Sequence, residues 1–190
     1  MFHKQALLAC APILAAFVVF GSTAKAQETI TPKYEVGLSY SWLHVNSANF
    51  DRQRTGNGGS GYFEYNLNKT LGLVADFGGY ANTRTGFDDK LMSYMFGPRF
   101  NLRRGKFTPY AQFLFGGAYL FSNNSGISQS KNAFATAAGG GLDWQLTNHV
   151  AFKPIQVEYV MTQLATPNGF GNHQNDVRYS AGVVFRVGSK

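Results

Sequence analysis

Cysteine is nearly absent. The one in the chain, Cys10, lies in the N-terminal stretch, so without that stretch neither a disulfide framework nor a thiolate metal site is available. Charge is also sparse, with Asp, Glu, Lys and Arg making up 14% of the residues. The basic residues are dispersed, which argues against a nucleic-acid groove. Long apolar runs are missing after residue 26, because Gly, Asn, Gln or a charge interrupts each candidate before the ~20 residues that a membrane helix needs. Any residence in a membrane must therefore be as a closed β-barrel, the other architecture that leaves no backbone group unpaired in hydrocarbon.

The N-terminus has the form of an export signal. Residues 1–4 are short and basic, residues 6–20 are apolar, and Ala24-Lys25-Ala26 supplies the small-x-small pattern of a cleavage site, which places the cut before Gln27. Residues 1–26 are expected to be a cleaved signal peptide and 27–190 a single barrel domain. Losing Lys4 and Lys25 lowers the formal net charge from +7 by two, to +5. Leu7-Leu8-Ala9-Cys10 matches a lipoprotein box by chance, since cutting there would leave an apolar stretch on the product.

The rest of the chain alternates. Residues 33–45 place Tyr34, Val36, Leu38, Tyr40 and Trp42 on one face and Glu35, Gly37, Ser39 and Ser41 on the other, a period of two. The pattern recurs at 61–68, 71–82, 91–102, 107–121, 133–146, 150–162 and 176–188. Each run is near the ~9–11 residues of a tilted transmembrane strand, and an even number of strands leaves both termini on one side. Asn68-Lys69-Thr70, Arg103-Arg104-Gly105-Lys106 and Thr147-Asn148-His149 read as tight turns, and 46–60, 83–90, 122–131 and 163–174 as long loops. The fold class is all-β, an eight-stranded antiparallel up-and-down transmembrane β-barrel with short periplasmic turns and long external loops. Glycine clusters at 78–79, 116–117 and 139–141 are expected to relieve crowding in a narrow barrel. Pro98, Pro109 and Pro154 each mark a bulge or the margin of the bonded region, which leaves the facing of Lys153 open.

A soluble eight-stranded barrel of the lipocalin kind would turn the apolar faces inward around a ligand. Aromatic residues near the strand ends and the strict alternation of long and short connections favour the membrane instead.

Leu71-Gly-Leu-Val-Ala-Asp-Phe77, Phe96-Gly-Pro-Arg-Phe100, Phe107-Thr-Pro-Tyr110 with Phe115-Gly-Gly117, Gly139-Gly-Gly-Leu-Asp143 and Tyr179-Ser-Ala-Gly-Val-Val-Phe-Arg186 together resemble the OmpA-like family of small outer-membrane barrels. The nearest form is its stand-alone outer membrane protein β-barrel domain members, and the resemblance covers nearly all of residues 27–190. It implies an outer-membrane location in a Gram-negative-type bacterium, reached through the periplasm. It also implies a closing strand read by the barrel assembly machinery, for which Val183, Phe185 and Val187 are the matching residues. Gly188-Ser189-Lys190 follows them, a departure from the usual terminal aromatic.

An eight-stranded lumen is only wide enough to be filled by side chains. Glu35, Glu64, Asp76, Asp143 and Glu158 point inward by the alternation, as do Arg99, Arg178 and Arg186, and buried charges must pair. Such a network is either a plug that satisfies its own charges or a gate for a narrow ion path. Arg52, Arg54, Arg84, Lys90 and Lys131 lie in or beside the external loops, where they are solvated or contact lipopolysaccharide phosphates. Arg103, Arg104 and Lys106 are expected to hold a periplasmic turn in water. Gly56-Asn-Gly-Gly-Ser-Gly61 copies a dinucleotide-binding glycine pattern, but it precedes a strand and opens no helix, so it reads as an external loop.

No catalytic residue, metal site or cofactor is expected. Lipid A deacylases and palmitoyltransferases occur on such barrels, but His44, His149 and His173 lack the His-x-Ser arrangement that the deacylases show, and they fall at both ends of the barrel. The function expected first is non-enzymatic and structural, with or without an ion path. An adhesin or binding module acting through 46–60 and 163–174 is the alternative, ahead of a lipid-modifying enzyme. Its external ligand is not legible.

Overall fold

An alternating segment has two unlike faces, and it is stable only where both find a suitable medium and every backbone group finds a partner. Eight segments meet these demands together. In the computed structural model, which describes residues 31–46, 54–84, 87–124, 127–163 and 174–189, they are β1 (Pro32–Asn46), β2 (Arg54–Asn66), β3 (Leu71–Arg84), β4 (Phe87–Asn101), β5 (Phe107–Asn124), β6 (Ile127–Gln145), β7 (Val150–Thr162) and β8 (Gln174–Ser189). Each pairs antiparallel with the next, and β1 pairs with β8 from Pro32↔Ser189 to Asn46↔Asn175, which closes the barrel.

The apolar face is outside. Leu38, Phe77, Phe113, Ile155 and Val183 are exposed along the wall. The aromatic side chains buried among the described residues are Tyr62, Tyr80 and Tyr110. So continuous an apolar belt greatly exceeds what a water-soluble monomer exposes, which removes the lipocalin-like alternative. Aromatic rings mark both margins of the belt. Tyr34, Tyr65, Phe107 and Trp144 lie toward the turns, and Trp42 and Tyr179 pair toward the loops with centroids 5.7 Å apart. Tyr34 and Trp42 are roughly 27 Å apart along β1, which at a tilt of about 40° covers about 20 Å of bilayer.

Several strands are longer than the alternation predicts. β2 begins at Arg54, so the glycine-rich stretch expected to be a loop is instead strand, paired with β1 from Val45↔Arg54 onward. Likewise 83–90 and 122–131 fall mostly within strands, since β3 and β4 pair up to Arg84↔Phe87 and β5 and β6 up to Asn124↔Ile127. Backbone ladders need no apolar side chains, so polar and glycine-rich sequence continues them past the membrane. β5 and β6 have 18 and 19 residues, well beyond the ~9–11 that cross the hydrocarbon. The loop end thus carries a projecting sheet. The remaining stretches 47–53, 85–86, 125–126 and 164–173, like residues 1–30, lie outside the described residues.

The other end is made of tight turns. Asn68 Oδ1 accepts the N–H groups of Thr70 and Leu71, each at 2.8 Å, and Thr147 Oγ1 accepts that of Val150 at 3.0 Å. Between β4 and β5, Arg104 and Phe107 exchange backbone hydrogen bonds of 3.0 and 3.1 Å, and Gly105 adopts φ 58° in the two-residue turn they enclose. A β-branched residue is strained there. Gly105→Val is expected to cost about 1–2 kcal/mol, read as a lower guanidinium midpoint of the folded barrel.

β7 contains the main irregularity. Its register shifts against β6 between Leu142 and Trp144 and against β8 between Lys153 and Gln156, so Lys153 and Pro154 together face Asp143. Pro154 has no N–H to give to a ladder, and the chain bulges around it. The bulge reverses the alternation: Pro154 and Ile155 both face out, while Lys153 and Gln156 both face in. The facing that the sequence leaves open for Lys153 is therefore inward.

Candidate functional site

The lumen is where the polar residues gather. All eight charged residues expected there are buried: Glu35, Glu64, Asp76, Arg99, Asp143, Glu158, Arg178 and Arg186 are each at most 4% exposed. All but Asp143 join in a hydrogen-bonded network rather than isolated pairs, its two parts linked by Asn101 Nδ2, which donates to Asn66 Oδ1 at 3.4 Å. Glu64 accepts from Arg99 Nη1 at 2.9 Å and from Asn101 at 2.6 Å, and Arg99 Nε donates to Gln112 Oε1 at 2.7 Å. Gln112 donates to Glu158 at 2.6 Å, and Glu158 also accepts from Arg178 Nε at 2.7 Å. Arg178 Nη1 then donates to Asp76 at 2.9 Å and to the Tyr80 hydroxyl at 3.0 Å. Nearer the turns, Glu35 accepts from Arg186 Nε at 3.0 Å, from Asn66 at 2.9 Å and from Arg103. Arg186 Nη2 and Asp143 Oδ2 are 3.9 Å apart, the loosest contact of the set.

Arg103 departs from expectation. Placed by its sequence in a solvated turn, it instead folds back into the mouth of the barrel, with its side chain 6% exposed, because Glu35 and Asn66 offer acceptors within reach. Two inward tyrosines also belong to the site. The Arg99 guanidinium lies between the Tyr62 and Tyr110 rings, 4.3 and 4.2 Å from their centroids. Lys153 Nζ lies 4.1 Å from the centroid of Tyr62 and donates to Gln156 Oε1 at 2.8 Å. Cation–π contact and hydrogen bonds thus accommodate positive groups that water cannot reach. Tyr62 and Tyr110 share the parity of Glu64 and Gln112, the signal that reveals them. Gly37 leaves the room that the Tyr62 ring occupies.

Toward the loops the lumen is mixed, with Ser41, Ser93, Thr162, Asp176 and Ser180 buried there beside apolar side chains of β4–β7. Met95 and Leu114 are fully buried, and Ala118, Ala135, Ala137 and Val160 pack with them. Polar residues therefore line most but not all of the lumen. Beside the charged chain, small and medium apolar side chains fill the β4–β7 side of the lumen, and Val74 and Val184 join them from the turn half. Between this cluster and the polar residues, a cavity of about 20 Å³ reaches Ser93, Thr162, Asp176 and Arg178, room for about one water.

The remaining predicted residues are scattered. Lys90 is exposed on β4 at the loop end. Arg54, Arg84 and Lys131 belong to β2, β3 and β6, with side chains outside the described residues, as is Arg52 altogether. Val183, Phe185 and Val187 are exposed on the outer face of β8. His149 is exposed in a turn, and His44 lies beside Trp42, with ring centroids 6.1 Å apart, at the opposite end. His173 falls outside the described residues. Among the described residues no three His, Cys, Asp or Glu side chains gather as metal ligands.

A closed wall of eight antiparallel strands, apolar outside and filled with ion pairs inside, defines a small transmembrane barrel protein. The chain belongs to the outer membrane protein β-barrel domain family, whose model matches residues 13–188. Its location is the outer membrane of Gram-negative bacteria. Solved barrels share the fold. Neisserial surface protein A superposes with a TM-score of 0.66 at 16% identity, over 81% of this chain and 97% of that one. Ail, the attachment invasion locus protein of Yersinia pestis, superposes with a TM-score of 0.61 at 17% identity, over 83% and 99%. OprG of Pseudomonas aeruginosa gives 0.57 at 13% identity, over 87% and 100%. No curated protein sequence matches the chain.

Proposed function

We propose that this protein is a non-enzymatic outer-membrane barrel with a closed lumen, whose contribution to the envelope is structural and whose contacts with other molecules are made at the wall and the projecting loop end. In this reading the turns face the periplasm, residues 1–26 are the cleaved leader, and Val183, Phe185 and Val187 present the strand recognised by the assembly machinery. The filled lumen carries the proposal. A hydrated ion would have to break the chain from Glu64 to Asp76 and also pass the fully buried Met95 and Leu114 side chains, and apolar constrictions stop conduction by excluding water. A rearranging salt-bridge gate does not remove those side chains. In planar bilayers the wild-type barrel and its Arg99→Ala variant are both expected to show no discrete conductance steps. Steps in the wild type that change in size in the variant would restore the ion path.

The projecting β5–β6 hairpin favours a second reading, a surface-binding module. Ail was also solved in complex with the heparin analogue sucrose octasulfate. Arg54, Arg84, Lys90 and Lys131 fall toward the same end of this barrel, and lipopolysaccharide phosphates suit their charge. Deletion of 164–173 that abolishes binding of cells to a surface while preserving the folded barrel would select this reading over a purely structural one.

A further inference from the structure

The turn end of the wall carries exposed charge of one sign. Lys69, Arg104 and Lys106 are exposed there and Lys33 is half-buried, whereas Glu35, Glu64, Asp76, Asp143, Glu158 and Asp176, the acids whose side chains are described, are all buried. Folding has sorted the charge: the carboxylates were drawn inside to meet Arg99, Arg103, Arg178 and Arg186, leaving cations at the rim. A chain of modest net charge thus presents a uniformly basic end among its described residues.

The depth of this collar is set by its aromatic neighbours. Lys33 directly precedes Tyr34, and its Nζ lies 5.4 Å from that ring's centroid. Lys106 directly precedes Phe107, which stacks on Trp144 at 6.0 Å. Interfacial aromatic rings sit at headgroup level, so cations one residue further from the hydrocarbon meet the phosphates. Lys69 and Arg104 sit on two different turns, so the cations are spread along the rim from β1 to β5 instead of clustering at one point. We propose that the turn end is a docking surface for anionic phospholipid headgroups, of the phosphatidylglycerol class, which it enriches in the adjacent leaflet. Separated single cations fit monoanionic lipids arranged around the wall, each able to hold one phosphate by a charge-assisted hydrogen bond.

The inference rests on the transmembrane placement proposed above and not on the closed lumen, so conductance and lipid selection can fail independently. The test uses the mature chain in phosphatidylcholine bilayers holding a trace of spin-labelled phosphatidylglycerol or, separately, spin-labelled phosphatidylcholine, with the immobilised lipid fraction measured by electron paramagnetic resonance. At low salt the wild type is expected to prefer the anionic label roughly three- to fivefold. The combined Lys33→Gln, Lys69→Gln, Arg104→Gln and Lys106→Gln variant is expected to lose the preference, and Lys90→Gln with Lys131→Gln to keep it. Should the fourfold variant fail to fold, Lys69→Gln and Arg104→Gln at the exposed turn tips are each expected to lower the preference alone. A wild type without preference, a preference that survives the substitutions, or one abolished by the loop-end pair overturns the proposal.

Discussion

Arg178→Met is expected to destabilise the folded barrel by about 3–5 kcal/mol, the cost of leaving buried charge without its partner. Arg178 is the sensitive position because it serves two carboxylates from opposite parts of the wall, Asp76 on β3 and Glu158 on β7. Its loss leaves both anionic groups inside, with Gln112 and Gln156 as the remaining donors to Glu158. Methionine keeps much of the volume, so the effect reports charge more than packing. Adding Asp76→Asn and Glu158→Gln to the same chain is expected to recover most of the stability, because the penalty belongs to the unpaired charges. Guanidinium unfolding from lipid or detergent, followed through Trp42 and Trp144, measures both variants; the two indoles are exposed on the lipid face and respond to its loss. A shift in Arg178→Met below about 1 kcal/mol would place the pair in the range of solvent-screened surface contacts, and the lumen would then have to be wet.

Phe113→Arg is expected to cost about 2–4 kcal/mol, and Phe121→Arg, eight positions nearer the loop end on the same strand and face, about 0–1 kcal/mol. Both phenylalanines are exposed, 51% and 36%. On a water-soluble protein neither change would matter much, since surface substitutions usually stay within about 0.5 kcal/mol. In a bilayer depth decides the outcome: Phe113 lies between the two aromatic margins, Phe121 beyond the level of Tyr119. Unfolding of both variants from phospholipid bilayers provides the comparison. Equal and small effects would mean that the apolar belt is not in hydrocarbon.

The architecture was legible because alternation of side chains is a local property, visible without knowing which strands pair. Glu64 with Asn66, or Asp143 with Gln145, show their facing from sequence alone. Four things were not legible, each for a physical reason. Strand ends at 83–90 and 122–131 are specified by backbone pairing across the hairpin, to which polar side chains contribute no pattern. The direction of Lys153 depends on a bulge at Pro154 that inverts the parity of everything after it on one side. Arg103 turns inward because Glu35, remote in sequence and adjacent in space, accepts its hydrogen bonds. The apolar cluster around Met95 and Leu114 was obscured by a simple division of polar inside from apolar outside, which the β4–β7 side of the lumen does not follow.

The lumenal ion pairs join residues far apart along the chain: Arg178 and Asp76 are separated by 102 positions, Arg186 and Glu35 by 151. A partly built sheet would therefore carry into the membrane carboxylates and guanidinium groups whose partners had not yet arrived. Hydrocarbon is intolerant of such groups, so intermediates short of the final β1–β8 seam are driven back to water or onward to completion. Insertion and ring closure become one cooperative event, and a chain truncated before β8 is unsuited to the bilayer by its own electrostatics.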